Sequence, residues 1–386
     1  MMAMRPKIVV LLAAVVVATW CALPATRSLA SDAAAPRAST PSFLGSLVAS
    51  DDTPTLSWGR DGGVSVPLPN GKMLWVFADT PRWQYKGGAW AVTAFVHGSS
   101  AGMQDFTFGR RPTSKFLEVN IGKKLSAKNR VGPFMGNPQL NKPDGSGQKC
   151  PADKAARWPT GAALMPDKAN VFIPYVDVCI LNSTNYPVLG WGFSMYDWKK
   201  NKFSIPPYDV FKPNRHGDAI PSTNVYRTPV IVGNTLTMYT LTMAPQWIEY
   251  STTLPATVAA IKNIAHYTSQ PMSMPGTFLY GVAPPSKFLK QFTLFMSTDT
   301  VGGYKILSSS SPLGPWVERA EGALPQCATS PWMCTSFAIH PQVSSSTKVL
   351  VSYYVPGSGP TVGGHPNKNP ARHPNFGHIV WVSIPI

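Results

Sequence analysis

The chain is short of acid. Asp and Glu together number 18 against 34 Lys and Arg, and Glu118, Glu249, Glu318 and Glu321 are its glutamates. Charged residues are only 13% of the 386, so long helices laced with surface ion pairs are excluded. The 39 prolines and 31 glycines interrupt helical periodicity almost everywhere; one candidate helix remains, ATVAAIKNIAHY at 256–267. No GxSxG elbow, Walker loop, HExxH or EF-hand loop occurs. A dispersed Ser-His-Asp set leaves no local signature, and nothing marks a serine as nucleophile. The net charge of +16 comes from scattered lysines and arginines with no recognisable DNA- or RNA-binding module, so nucleic acid is not the expected partner.

Long apolar runs are also scarce. Arg5 and Lys7, the run Ile8 to Ala18 and the triplet Ser28-Leu29-Ala30 have the order of a signal peptide, 1–30, with an apolar part too short to span a bilayer comfortably. No second membrane segment follows, so a secreted, extracellular protein without stable membrane insertion is expected; removal of Arg5, Lys7 and Arg27 with the signal leaves a net charge of about +13. Residues 31–55, rich in Ala, Ser and Pro, read as a flexible leader, and 56–386 as a single domain. Of five cysteines, Cys150, Cys179, Cys327 and Cys334 lie beyond the signal. An even number in an exported chain favours disulfides, and of three possible pairings the sequence neighbours, Cys150 with Cys179 and Cys327 with Cys334, are preferred. Zinc has neither CxxC spacing nor a nearby histidine pair to support it.

What the chain does contain is short strands rich in Val, Ile, Phe, Tyr and Trp: 72–78, 90–96, 170–176, 235–239, 292–296, 304–308, 349–354 and 378–384. Turns such as Pro69-Asn70-Gly71, Pro166 to Ala169 and Val232-Gly233-Asn234 separate them. The loose recurrence of strand, tight turn and aromatic strand predicts an all-β, five-bladed β-propeller at roughly 65 residues per blade, against a β-sandwich as the competing architecture. The C-terminal strand would close the ring and remove an exposed edge.

Against so few acids, Asp61 and Asp79 stand out at the two ends of one predicted hairpin, GRDGGVSVPLPNGKMLWVFADTP. Glycosidic cleavage needs a proton donor and a second carboxylate, and burial separates their protonation. The structural alternatives are a backbone cap for Asp79 and an Arg60 pair for Asp61. Asp177, at the end of NVFIPYVD, is a third candidate acid or a turn residue. Arg60, Asp218, Arg227 and His340 are candidates for binding hydroxyls or fixing carboxylates, and Trp75, Trp158 and Tyr175 for stacking on a sugar ring.

The stretch Gly59 to Thr80 resembles the opening blade of DUF4185-type proteins. WPTGAALM (158–165), RTPVIVGNTLTMY (227–239), YKILSSSSPLGPW (304–316) and TSFAIHPQV (335–343) are similar to blade patterns of five-bladed glycosidase-like proteins. The DUF4185-type group includes endo-D-arabinanases acting on mycobacterial-type cell-wall arabinan. The resemblance implies a five-bladed propeller with catalytic acids in a central pocket, a role it carries onto Asp61 and Asp79 and more weakly onto Asp177. The expected function is hydrolysis of a furanoside-containing or related extracellular polysaccharide by a monomer without cofactor. The alternative is a non-catalytic carbohydrate-binding or cell-surface protein on the same scaffold.

Overall fold

Alternation of apolar residues and tight Gly- or Asn-containing turns folds the chain into successive antiparallel four-stranded sheets. The computed structural model describes residues 37–47, 53, 55–110, 112, 115–121, 131–138, 150–181, 186–211, 225–241, 249–272, 280–287, 289–299, 302–324, 327, 334–355, 361–362, 365–366 and 378–386. All of them belong to one unit, Ala35–Ile386.

Blade I runs through Val64–Pro67, Lys72–Phe77, Ser100–Asp105 and Leu117–Glu118. Blade II comprises Ala155–Pro159, Asn170–Cys179, Val188–Asp197 and Lys202–Phe211, with Ala163–Leu164 paired beside its second strand. Blade III is Tyr226–Val232, Thr235–Leu241, Glu249–Pro255 and Gln270–Met272. Blade IV is Tyr280–Ala283, Phe292–Ser297, Gly303–Ser309 and Val317–Ala323. Blade V joins Thr335–Ile339, Lys348–Val355 and the C-terminal His378–Pro385 to Ser42–Ser46. The leading strands of the blades touch in a closed circuit, which makes the five sheets a five-bladed propeller.

Each seam between blades has its own apolar cluster. Leu74 and Val76 of blade I pack with Ile173 and Tyr175 of blade II. Phe172 and Trp191 of blade II meet Leu236 and Met238 of blade III, and Tyr239 of blade III meets Leu294 and Met296 of blade IV. Phe295 and Ile306 of blade IV pack on Val351 and Tyr353 of blade V. Trp75 and Phe77 of blade I close the circuit against Ile379 and Trp381 of blade V. Both faces of the middle strands are therefore buried, which explains their near-continuous hydrophobicity.

Both expected disulfides are formed, Cys150–Cys179 and Cys327–Cys334. The expected helix 256–267 is reduced to Val258–Lys262, capped by the Thr257 side chain, and a 3₁₀ turn at Ile264–His266. The leader expectation is corrected: Arg37–Ala38 extends blade IV in parallel with Val317–Ala323, and Ser42–Ser46 completes blade V beside the C-terminal strand. Backbone pairing, rather than apolar periodicity, recruits these residues. The proposed signal peptide lies outside the described residues.

Ile379, Val380, Trp381, Val382 and Ile384 of the last strand are all buried. At about 1.5–3 kcal/mol per fully buried large side chain, their sum matches the whole net stability of a typical domain. Removal of residues 378–386 is expected to abolish cooperative thermal unfolding measured by calorimetry; a retained sharp transition would contradict ring closure by this strand.

Candidate active site

Between blades I and V, the chain leaves one sheet and enters another. Leu56–Trp58, Thr80–Lys86 and Ala89–Val96 form a separate three-stranded sheet, so the hairpin Thr80–Val96 is inserted between the second and third strands of blade I. Asp61 and Asp79 stand at the two crossing points. The Asp61 N–H donates to the Asp79 carbonyl at 2.9 Å, and the Ala78 N–H donates to the Asp61 carbonyl at 2.7 Å. Two distant acids are thereby fixed as neighbours by backbone geometry.

The glycines after Asp61 let the chain turn and pass close to blade V. Gly62 has φ 63°, and a Cβ on Gly63 would come within 2.9 Å of Ile379 Cδ1 in blade V. Beneath them, Arg60 is buried, pairs with Glu118, donates to Ser100 Oγ at 2.9 Å and lies over the Phe77 and Phe116 rings. It anchors the segment, which corrects its expected role as a ligand contact.

Asp61 is half-buried, with its carboxyl on the protein side. Burial, reinforced by the negative charge of Asp79, pushes its pKa up from 3.8 to about 7; the Gly62 N–H opposes this. Asp79 is 8% exposed, and burial raises its pKa too. It has more groups favouring its ionised form: the Gly98 N–H, which donates to Oδ1 at 2.7 Å, the Trp158 indole and the charge of His97. Trp158 Nε1 forms no well-aligned hydrogen bond to a described residue, so it acts on Asp79 as a nearby N–H dipole. Burial thus holds both carboxyls toward the protonated form, Asp61 to about pH 7, and Asp79 carries the larger set of groups opposing that shift.

Two members of these surroundings were not anticipated. His97 and Gly98 follow the inserted hairpin, where a glycine at a strand exit was the available signal. Gly98 has φ 94°, and a Cβ there would come within 2.1 Å of Asn137 Oδ1 and 3.3 Å of the Arg157 backbone. Tyr354, from blade V, feels the negative charge of both Asp61 and Asp79.

The remaining expected residues divide clearly. Trp158 is half-buried, edge-on to Tyr186 at 5.4 Å, and borders the acid pair. Arg227 is half-buried at the start of blade III. Asp218 lies outside the described residues. Four expectations are corrected by burial. Trp75 is fully buried among Phe77, His340 and Trp381, with its N–H donated to Gln104, and offers no face to a sugar. His340 is fully buried between Ser65 Oγ (2.6 Å) and Ser352 Oγ (2.7 Å), and burial lowers its pKa to about 3, leaving it neutral. Tyr175 is buried, lies under the Arg157 guanidinium and donates to Asp209 at 2.7 Å. Asp177 accepts two hydrogen bonds from Arg157, at 2.8 and 2.9 Å. Burial raises its pKa to about 6 while Arg157 pulls it down, so it is an ion-pair partner inside blade II rather than a third catalytic acid. Among the described residues, no group of three or more His, Cys, Asp or Glu is arranged to hold a metal.

Comparison with solved structures supports the fold. A candidate hydrolase from Bacteroides ovatus ATCC 8483 is similar at a TM-score of 0.54 and 13% identity, over 86% of this chain and 86% of that one. The catalytic domain of Coprinopsis cinerea GH62 alpha-L-arabinofuranosidase matches at 0.46 and 11% identity, over 91% of this chain and 98% of its own. Zg3597, a family 117 glycoside hydrolase from the marine bacterium Zobellia galactanivorans, matches at 0.47 and 10%, over 90% of each. At such identities likeness speaks to fold alone, and the latter two scores are too low to carry an argument. No protein-family model matches the sequence, and no curated protein is similar to it.

The acid pair has a consequence for stability. Below pH 3.8 Asp61 is neutral in both folded and unfolded chains; between 3.8 and about 7 the unfolded chain ionises it first, so stability falls as pH rises through that window. Asp61→Asn removes the penalty. Its melting temperature is expected to match the parent's near pH 4 and to exceed it by a few °C at pH 8; parallel melting curves against pH would show that Asp61 titrates normally.

Proposed function

We propose that this protein is a secreted glycoside hydrolase in which Asp61 is the proton donor and Asp79 the ionised partner, acting on a furanoside-containing polysaccharide such as cell-wall arabinan. The observation that carries the reading is the neighbouring pair of carboxyls in unequal surroundings. Asp61 keeps a proton to about pH 7, as an acid that protonates a leaving glycosidic oxygen must. Asp79 has a backbone N–H donor at 2.7 Å to hold negative charge, which suits a base or nucleophile. The half-buried Trp158 offers an apolar ring face beside them for a sugar. The choice of a furanoside rests on the DUF4185-type resemblance of Gly59 to Thr80. The two disulfides fit an oxidising, extracytoplasmic location.

In this mechanism a glycan enters over the pair, Asp61 transfers its proton to the departing oxygen, and Asp79 either attacks the anomeric carbon or deprotonates a water that does. The carboxyl separation along the bound sugar selects between these courses.

The test is product release from a panel of arabinans and galactans. The parent is expected to release oligosaccharides from a furanoside polymer, and Asp61→Asn to lower kcat about 10²–10⁴-fold while remaining folded. The alkaline limb of kcat/KM should lie near pH 7 and move downward in any residual activity of Asp79→Asn, because a negative neighbour is removed. Binding without release from any glycan would favour the non-catalytic carbohydrate-binding alternative; undiminished release by Asp61→Asn would remove the pair from the mechanism.

A further inference from the structure

Blade V presents different chemistry on its two sides. Along Lys348–Val355, Val349, Val351, Tyr353 and Val355 enter the cluster shared with blade IV. Leu350 and Tyr354 instead belong to the seam with blade I, and Ser352 between them binds His340, whose ring is 5.2 Å from Trp75 of blade I. Strand alternation therefore aims Tyr354 at the blade that carries the acid pair.

Its neighbours in the sheet fix how far along the seam it lies. Tyr354 is in register with Ile379 on one side and Thr335 on the other. Ile379 is the residue that a Cβ on Gly63 would strike, and Ser336, next to Thr335, has its Oγ 3.6 Å from where a Cβ on Gly62 would sit. Gly62 and Gly63 directly follow Asp61. Tyr354 is half-buried, and its side chain makes no hydrogen bond to another described residue.

We propose that Tyr354 is a further substrate-contacting residue of this site, its hydroxyl donating a hydrogen bond to a hydroxyl or ring oxygen of the sugar held over Asp61 and Asp79. This rests on the carbohydrate reading above but adds blade V to the site. Burial and the two negative neighbours raise its pKa well above 10, so the phenol remains a donor throughout the working range. A neutral donor also suits this position better than a cation, because it does not pull Asp61 toward ionisation. Trp158 and His97 would border the same sugar beside Asp79.

The experiment uses the full chain and the oligosaccharides of the best-bound glycan in the panel. Tyr354→Phe is made in the parent and in Asp61→Asn, with Tyr353→Phe as a control that removes a buried hydroxyl from the opposite side of the strand. Calorimetric affinity in the Asp61→Asn background is expected to fall about 3–10-fold with Tyr354→Phe and to be unchanged with Tyr353→Phe. In the parent background, kcat/KM should fall at least as far with Tyr354→Phe, with the thermal transition retained. Unchanged affinity and kcat/KM in folded Tyr354→Phe would overturn the proposal. A parent that binds glycan without cleaving it would overturn the hydrolase reading alone, and the affinity comparison would still decide the role of Tyr354. A parent that neither binds nor cleaves any glycan would overturn both.

Discussion

Closure of the ring between blades V and I is the constraint on which the rest depends. Blade V is assembled from both ends of the described chain, with Ser42–Ser46 paired to His378–Pro385. Trp381 packs edge-on against Trp75 at 5.4 Å, and neutral His340 fills the space between blades, 4.5 Å from the Trp381 ring. The same seam brings Ile379 against Gly63 and Tyr354 toward the acid pair. Loss of closure would therefore loosen both the scaffold and the chemistry.

Burial sorts polar groups according to whether their demands are met. Asp177 and Arg157 lie deep in blade II and satisfy one another through two hydrogen bonds, a coupled arrangement that fixes local geometry. Asp61 and Asp79 are placed together with no comparable cation between them among the described residues. Two acids held this close disfavour simultaneous ionisation, a cost that a structural role would not require. Each accepts from a backbone N–H, but Asp79 also feels Trp158 and His97, and both Gly98 and His97 follow the inserted hairpin, so the hairpin is part of the electrostatic design of the pair.

Much of this was legible in sequence because it depends on local pattern. The aromatic strands, their Gly- and Asn-containing turns, the neighbouring cysteines and two aspartates flanking one hairpin all have short-range signals. Which face an aromatic presents does not. Trp75, Tyr175 and His340 looked suited to a pocket by residue type, yet each lies at a seam where both sides of the sheet are buried. Asp177 resembled Asp79 as an acid ending an aromatic strand; only its cross-strand partner Arg157, in register with it, separates the two roles. Arg37–Ala38 and Ser42–Ser46 lack apolar periodicity because they are outer strands held by backbone pairing. Tyr354 had a faint signal in the polar face Ser352 and Tyr354 of an otherwise apolar strand, but its partner face belongs to a blade nearly 300 residues earlier, beyond the reach of any local pattern.

The most direct measurement of the central claim is a carbon NMR titration of the full chain labelled at the aspartate carboxyl carbons. The resonance assigned to Asp61 by its absence from Asp61→Asn should show a midpoint near pH 7, with a coupled step at the carbon of Asp79. An Asp61 carbon that titrates near 4, independently of Asp79, would contradict the account: the two aspartates would then be ordinary acids and the division of labour between them would have no physical basis.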